Sequence, residues 1–124
     1  MEYQEFDRVK IKEYIRETYG ILPEYLFKSD PECCVFRHLY TKKWFGIIMN
    51  ISANKIGLNA DTCIDVLNVK CEPDMVAVLN RQSGFAPAYH MNKKHWLTIL
   101  LDGNVSKEQI LQLLDISFEL TKKR

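Results

Sequence analysis

An α+β domain built on a mainly antiparallel sheet is the fold class this sequence predicts, and three observations predict it. Amphipathic stretches of helical period stand near both ends of the chain. Four stretches rich in β-forming residues lie between them. Two of those four are separated only by Thr41-Lys42-Lys43, long enough for a hairpin and far too short for the crossover that parallel neighbours need.

Taken in order, residues 3–19 mix charges densely, with Ile11 beside Ile15 and Tyr14 beside Thr18 at i,i+4, so an amphipathic helix ended by Gly20 is expected. Residues 22–28 read as a short strand with Pro23 at its entry, and Ser29-Asp30-Pro31-Glu32 as a turn. Residues 33–40 and 44–51 form the hairpin. In its second strand, alternation places Phe45, Ile47, Met49 and Ile51 on one face and Trp44 and Ile48 on the other, so both faces are expected to be partly covered. Residues 54–61 are turn-rich, and residues 63–70 alternate again, Ile64 and Val66 against Leu67 and Val69.

Pro73 then opens a short helix at its first position, with Met75, Val76, Val78 and Leu79 as its buried side. Residues 83–90 hold Gly84 and Pro87 without a helical period and read as a long ordered loop. Residues 95–101 set Leu97, Ile99 and Leu101 opposite Trp96, Thr98 and Leu100, and Asp102-Gly103 turns the chain out of the sheet. Ser106-Lys107-Glu108-Gln109 fits a capping box. The long helix it starts packs through Ile110, Leu113, Leu114, Ser117 and Phe118, and Lys122-Lys123-Arg124 meets the negative end of its dipole.

Composition bounds the function. The chain has 124 residues, 47% apolar and 27% charged, with 17 basic residues against 16 acidic ones. That length buries roughly two-thirds of the unfolded surface, so one domain over residues 1–124 is expected, without metal or disulfide staples. The start is charged and has no apolar leader, and no apolar run approaches a bilayer span, so a cytoplasmic location is expected, without membrane insertion. In that compartment Cys33, Cys34, Cys63 and Cys71 are expected as reduced thiols, buried and inert. Cys63 and Cys71 lack the close spacing of a zinc site, and Cys33 and Cys34, adjacent on a strand, point to opposite faces.

No complete catalytic or cofactor motif is present, so a non-enzymatic protein without cofactor or metal is expected. The five glycines are all isolated, which excludes a glycine-rich phosphate loop. Cys34 and His38 share a strand face but stand about 13 Å apart, too far for a nucleophile and its base. His90 and His95 need a third ligand from elsewhere to hold a metal.

The charge layout is more informative than its total. Residues 33–60 carry Arg37, Lys42, Lys43 and Lys55 with no acid, and residues 75–101 carry Arg81, Lys93 and Lys94 with none. Aromatic and imidazole groups are interleaved with them, at Arg37-His38, Lys42-Lys43-Trp44 and Tyr89-His90-Met91-Asn92-Lys93-Lys94-His95-Trp96. Such a mixture suits phosphate contacts from the cations and stacking or hydrogen bonds to bases. It also suits lysines that protect strand edges and tryptophans that pack at strand starts.

At Asp65-Val66-Leu67-Asn68-Val69-Lys70-Cys71, then Pro87-Ala88-Tyr89-His90-Met91-Asn92-Lys93 followed by His95-Trp96, the chain resembles the MmcQ/YjbR family, and Arg37-His38 and Lys43-Trp44-Phe45 fit the same pattern. The resemblance runs over nearly the whole chain. It implies a CyaY-like (frataxin-like) fold, an antiparallel sheet with N- and C-terminal helices packed on it, and a "double wing" DNA-binding motif. On that reading Lys42 and Lys43 form one basic edge and Lys93 and Lys94 the other, with Arg37, His38, Tyr89, His90, Asn92 and His95 between them on a weak, salt-sensitive DNA contact.

Two other readings accompany it. Frataxin-like proteins resemble iron carriers with an acidic first helix, but here Glu5, Asp7, Glu13 and Glu17 are interleaved with Arg8, Lys10, Lys12 and Arg16 and leave no ridge. The alternative is a non-enzymatic small-molecule or protein-binding module using residues 85–95, where Tyr89, Met91 and Trp96 would line a pocket. A closed apolar pocket under that loop favours this alternative. A monomer is expected.

Overall fold

The computed structural model describes residues 6–123. Asp7 caps the first helix, α1 (Arg8–Tyr19), by accepting from the Lys10 amide, and Gly20 closes it in the left-handed conformation with its N–H on the Arg16 carbonyl. Of the expected helix over residues 3–19, residues 3–5 lie outside the described residues, and Phe6 and Asp7 precede the helix. Strands β1 (Cys34–Arg37) and β2 (Trp44–Ser52) form the expected hairpin. A single 3-10 turn, Ala53–Ile56, ends at Gly57 and leads to β3 (Cys63–Lys70). Then come α2 (Pro73–Leu79), β4 (Phe85–Pro87), β5 (Trp96–Leu100) and α3 (Lys107–Thr121). The sheet is antiparallel throughout, in the order β1-β2-β3-β5-β4.

One face of the sheet carries all three helices. Ile11 and Ile15 of α1, Val76 and Leu79 of α2, and Ile110, Leu113 and Leu114 of α3 pack in one cluster with Phe36, Phe45, Ile48, Leu67, Val69, Leu97 and Ile99. Burying a large aliphatic side chain in such a cluster contributes about 1.5–3 kcal/mol, so this face supplies most of the apolar stabilisation. The opposite face has no helix among the described residues. There Cys33, Val35 and Ile47 pack with Trp44, Met49, Met91 and Trp96, and Val66, Ala86 and Leu100 pack with Ile51, Ile56 and Tyr89.

Four expectations are corrected. Residues 22–28 are not a strand: only Glu24 bridges to Val35, and Leu22, Tyr25, Leu26 and Phe27 are left exposed. Residues 83–90 are not all loop, because β4 pairs with β5 at the sheet edge, where Pro87 costs no ladder hydrogen bond. On α2 only Val76 and Leu79 are buried, while Met75 and Val78 face outward. Finally, Phe45 does not share a face with Ile47, Met49 and Ile51. The register slips between Phe36↔Gly46 and Arg37↔Trp44, so β2 carries one extra residue there. This bulge turns both Phe45 and Gly46 toward the helices, and a Cβ on Gly46 would meet Leu114, Phe36 and Leu67.

Ser117 of α3 secures the bulge. Its hydroxyl donates to the Phe45 carbonyl at 2.6 Å and accepts from the Lys70 amide at 2.9 Å, satisfying two backbone groups that the sheet leaves over. At the other end of the sheet, Arg8 donates through both Nε and Nη2 to Asp65 at 2.9 Å and through Nη1 to the Glu32 carbonyl, tying α1 to β3. Burial pushes the Asp65 carboxyl up, but hydrogen bonds from Arg8 and Asn50 and the Arg8 charge outweigh it and hold the group below the usual carboxylate value.

Candidate functional site

The register fixes where the two acid-free segments meet. Lys42 and Lys43 precede β2, Lys70 ends β3, and Lys93, Lys94 and His95 precede β5; Lys70 is paired with Trp96. In an antiparallel sheet these positions share one end. The start of β5 lies two strands from the start of β2, about 10 Å away, on the scale of a duplex groove. The C-terminus of α3 reaches the same end, where Lys43 Nζ donates to the Lys123 carbonyl. Lys42, Lys43, Lys93 and Lys94 are exposed. Arg124 lies outside the described residues.

The other candidates divide by their bonds. Arg37 is held by Glu24, both nitrogens of its fork reaching carboxylate oxygens at 2.7 Å, so its charge is neutralised. His38 does not lie on an exposed basic surface: it is 7% exposed, against the rings of Phe45 and Phe118, with Nε2 2.9 Å from the Thr121 hydroxyl. That hydroxyl donates to the Ser117 carbonyl, so it accepts from the His38 Nε2–H. Burial lowers the His38 pKa and outweighs the upward effects of the Phe118 backbone and Glu119, with the charges of Lys122 and Lys43 adding to it. Asn92 shapes its own loop, its side-chain oxygen accepting from the Lys94 amide and its carbonyl from those of His95 and Trp96.

Tyr89 and His90 belong to a different feature, a half-enclosed cleft of about 400 Å³ on the helix-free face. Its floor is Cys33, Ile47, Met49 and Asn68; one wall is Phe27, Ser29 and Asp30 with Trp44, and the other is Tyr89 to Met91. The loop expected to cover a pocket therefore does so through Tyr89 and Met91. Trp96 packs beside Met91 and Trp44 in the cluster below and does not line the cleft. Phe27 and Asp30 were not among the expected site residues, because they come from a segment that reads as strand and turn. Burial pushes the Cys33 thiol up to about 11, helped by the Asp30 charge, so it is a neutral lining group.

The four cysteines are unpaired, and Cys63, expected to be buried, is exposed while the other three are buried. Among the described residues no three His, Cys, Asp or Glu side chains come together as a metal site, and no helix is long and apolar enough to cross a membrane.

Comparison with known proteins agrees with this architecture. The chain is 39% identical to a protein from Pseudomonas syringae whose crystal structure superposes with a TM-score of 0.91, over 94% of this chain and 99% of that one. A Deinococcus radiodurans protein with a DUF419 domain superposes at 0.72 with 28% identity, over 94% of this chain and 78% of that one. The uncharacterized protein YyaQ of Bacillus subtilis (strain 168) is 38% identical over 115 residues, 93% of this chain and 98% of its own length. The family model described as YjbR matches residues 17–120, and with that span and those relatives the chain belongs to the YjbR family.

Proposed function

We propose that the protein is a non-enzymatic DNA-binding protein that contacts the phosphate backbone through the basic end of its sheet, with Lys42 and Lys43 on one edge and Lys93 and Lys94 on the other. The observation that carries this reading is the meeting of two acid-free segments, distant in sequence, at one end of an antiparallel sheet. Lys70 and Lys123 stand at that end as well. Glu24 is spent on Arg37 and Glu119 on Lys122, while Glu72 and Asp74 follow Lys70 at that end and limit its net charge. The contact uses four exposed lysines, and Arg37, His38 and Asn92 act as its internal supports. The frataxin-like arrangement implied by the sequence resemblance belongs to this reading, supported by helices confined to one face of the sheet.

With a net charge of only +1, binding is weak at physiological salt. Neutralising about three to five phosphates gives a slope of log affinity against log salt of roughly −3 to −4.5 on duplex DNA. Fluorescence anisotropy of a labelled duplex across a salt series measures it. Replacing Lys42, Lys43, Lys93 and Lys94 together by Glu, with the fold checked by near-ultraviolet circular dichroism, abolishes low-salt binding. Unchanged affinity in that variant, or no binding by the parent at low salt, refutes the proposal.

A further inference from the structure

The cleft on the helix-free face is lined by none of the four lysines of the basic end and has the size and lining of a small-molecule site. Its rings come in two pairs from different connections: Phe27 and Trp44 meet edge to face at 6.4 Å, and Tyr89 and His90 lie 4.0 Å apart. Two thioethers, Met49 in the floor and Met91 in a wall, give the lining the adaptability to close around a flat body. The backbone of His90 is held at a φ of 60°, a left-handed conformation that costs a non-glycine residue energy and that collects at ligand clamps.

Asp30 supplies the only carboxylate in the lining, and that carboxylate makes no hydrogen bond or ion pair among the described residues. An apolar guest filling the cleft would strip water from an unpaired charge, which is costly, and an anionic guest would add repulsion. A guest carrying a positive charge removes the penalty, and aromatic walls favour it further through their ring faces. Lys55 lines an adjoining outer recess of about 240 Å³ that Asp30 also borders, without forming an ion pair with it.

We propose that this cleft binds a small organic cation, a protonated amine on a flat apolar body, with its nitrogen paired to Asp30 and its body between the Phe27–Trp44 and Tyr89–His90 rings.

Three probes with one body and different charge test it on the full chain: 2-phenylethylamine, 2-phenylethanol and phenylacetate, each titrated while amide and methyl resonances are followed. The amine is expected to shift Asp30, Trp44, Met49, Tyr89 and Met91 saturably and to bind about tenfold more tightly than the alcohol, with phenylacetate weakest. Asp30→Asn, whose replaced carboxylate bonds nothing among the described residues, is expected to lower amine affinity about tenfold and leave the alcohol unchanged. Phenylacetate binding as tightly as the amine, shifts confined to other surfaces, or no saturable shift with any probe would overturn the proposal on the parent chain alone. Undiminished amine affinity in Asp30→Asn would overturn the role of Asp30.

Discussion

Asn68 and Thr98, cross-strand partners on β3 and β5, together hold both polar groups of the Tyr89 backbone. The Tyr89 N–H donates to Thr98 Oγ1 at 3.2 Å, the Thr98 hydroxyl donates to Asn68 Oδ1, and Asn68 Nδ2 donates back to the Tyr89 carbonyl at 3.2 Å. Both side chains are fully buried, so this closed set of bonds continues the sheet edge where β4 has already ended. It ties the middle of β3 and β5 to the wall of the cleft.

Thr98→Val keeps the shape and removes the hydroxyl, leaving the Tyr89 amide and Asn68 oxygen without partners. The expected cost is about 1–3 kcal/mol in urea unfolding. Faster amide exchange at Tyr89 is expected with it, while core amides of β2 and β3 slow or quicken only with global stability. Exchange at Tyr89 no faster than the global change predicts would contradict this role.

The sequence reveals what local pattern encodes. Ser106 does cap α3, accepting from the Gln109 amide at 3.2 Å, and Pro73 does open α2, because both signals reside in four consecutive residues. The bulge at Phe45 is invisible to alternation: one inserted residue exchanges the faces while leaving composition untouched. β4 is three residues long, too short to establish a period. At the candidate sites the sequence displays charges without their partners. Arg37 meets Glu24 only through the bridge of Glu24 to Val35, and His38 meets Thr121 from 83 positions away. Asn68 stood within a marked motif, yet its role is visible only once β3 and β5 are paired.

Arg8 and Asp65 form a two-bond ion pair whose side chains are 14% and 28% exposed. Removing either partner is expected to cost about 1–3 kcal/mol, and the double replacement Arg8→Ala with Asp65→Ala less than the sum. The lowered Asp65 pKa means that its contribution is complete above the unfolded value near 3.8 and is lost as pH falls through the lower folded value. Additive costs in the cycle would show the pair to be uncoupled.

His38 acts in the same direction at milder pH. Its folded pKa lies below the ordinary 6.5, so the unfolded chain takes up the proton first and stability falls as pH drops through about 6.5 toward the folded value. Glu119, Lys122 and Lys43 set the local field. Urea midpoints between pH 7.5 and 5.5 are expected to decline in the parent and to decline less in His38→Gln, which retains a donor for Thr121. Equal slopes would remove His38 as the source.

The thiols differ in access. Cys33 and Cys71 are pushed up to about 11 and Cys34 is also raised, in each case chiefly by burial, whereas Cys63 is exposed. Native protein treated with a maleimide is expected to gain one adduct rapidly, located at Cys63 by peptide mapping, and the other three only on unfolding. Rapid labelling of Cys33 would show that the cleft opens far more than its packing implies.

Two glycines separate conformational need from space. Gly46 sits at the bulge, yet a Cβ there would lie 3.6 to 3.7 Å from Leu114, Phe36 and Leu67, ordinary contact distances. Gly84 has a φ of 95°, and its added Cβ would stand 2.5 Å from Val105 Cγ2 and 3.2 Å from Asn104 Cβ. Its carbonyl also accepts from the Leu100 amide at 2.8 Å, so the backbone cannot relax without weakening the edge at β4 and β5. Gly46→Ala is therefore expected to change stability by less than about 1 kcal/mol, whereas Gly84→Ala adds left-handed strain to overpacking and costs about 2–4 kcal/mol. Urea unfolding of the two variants side by side measures the difference. A Gly46→Ala variant as unstable as Gly84→Ala would mean that the bulge itself, and not the space beside it, demands glycine.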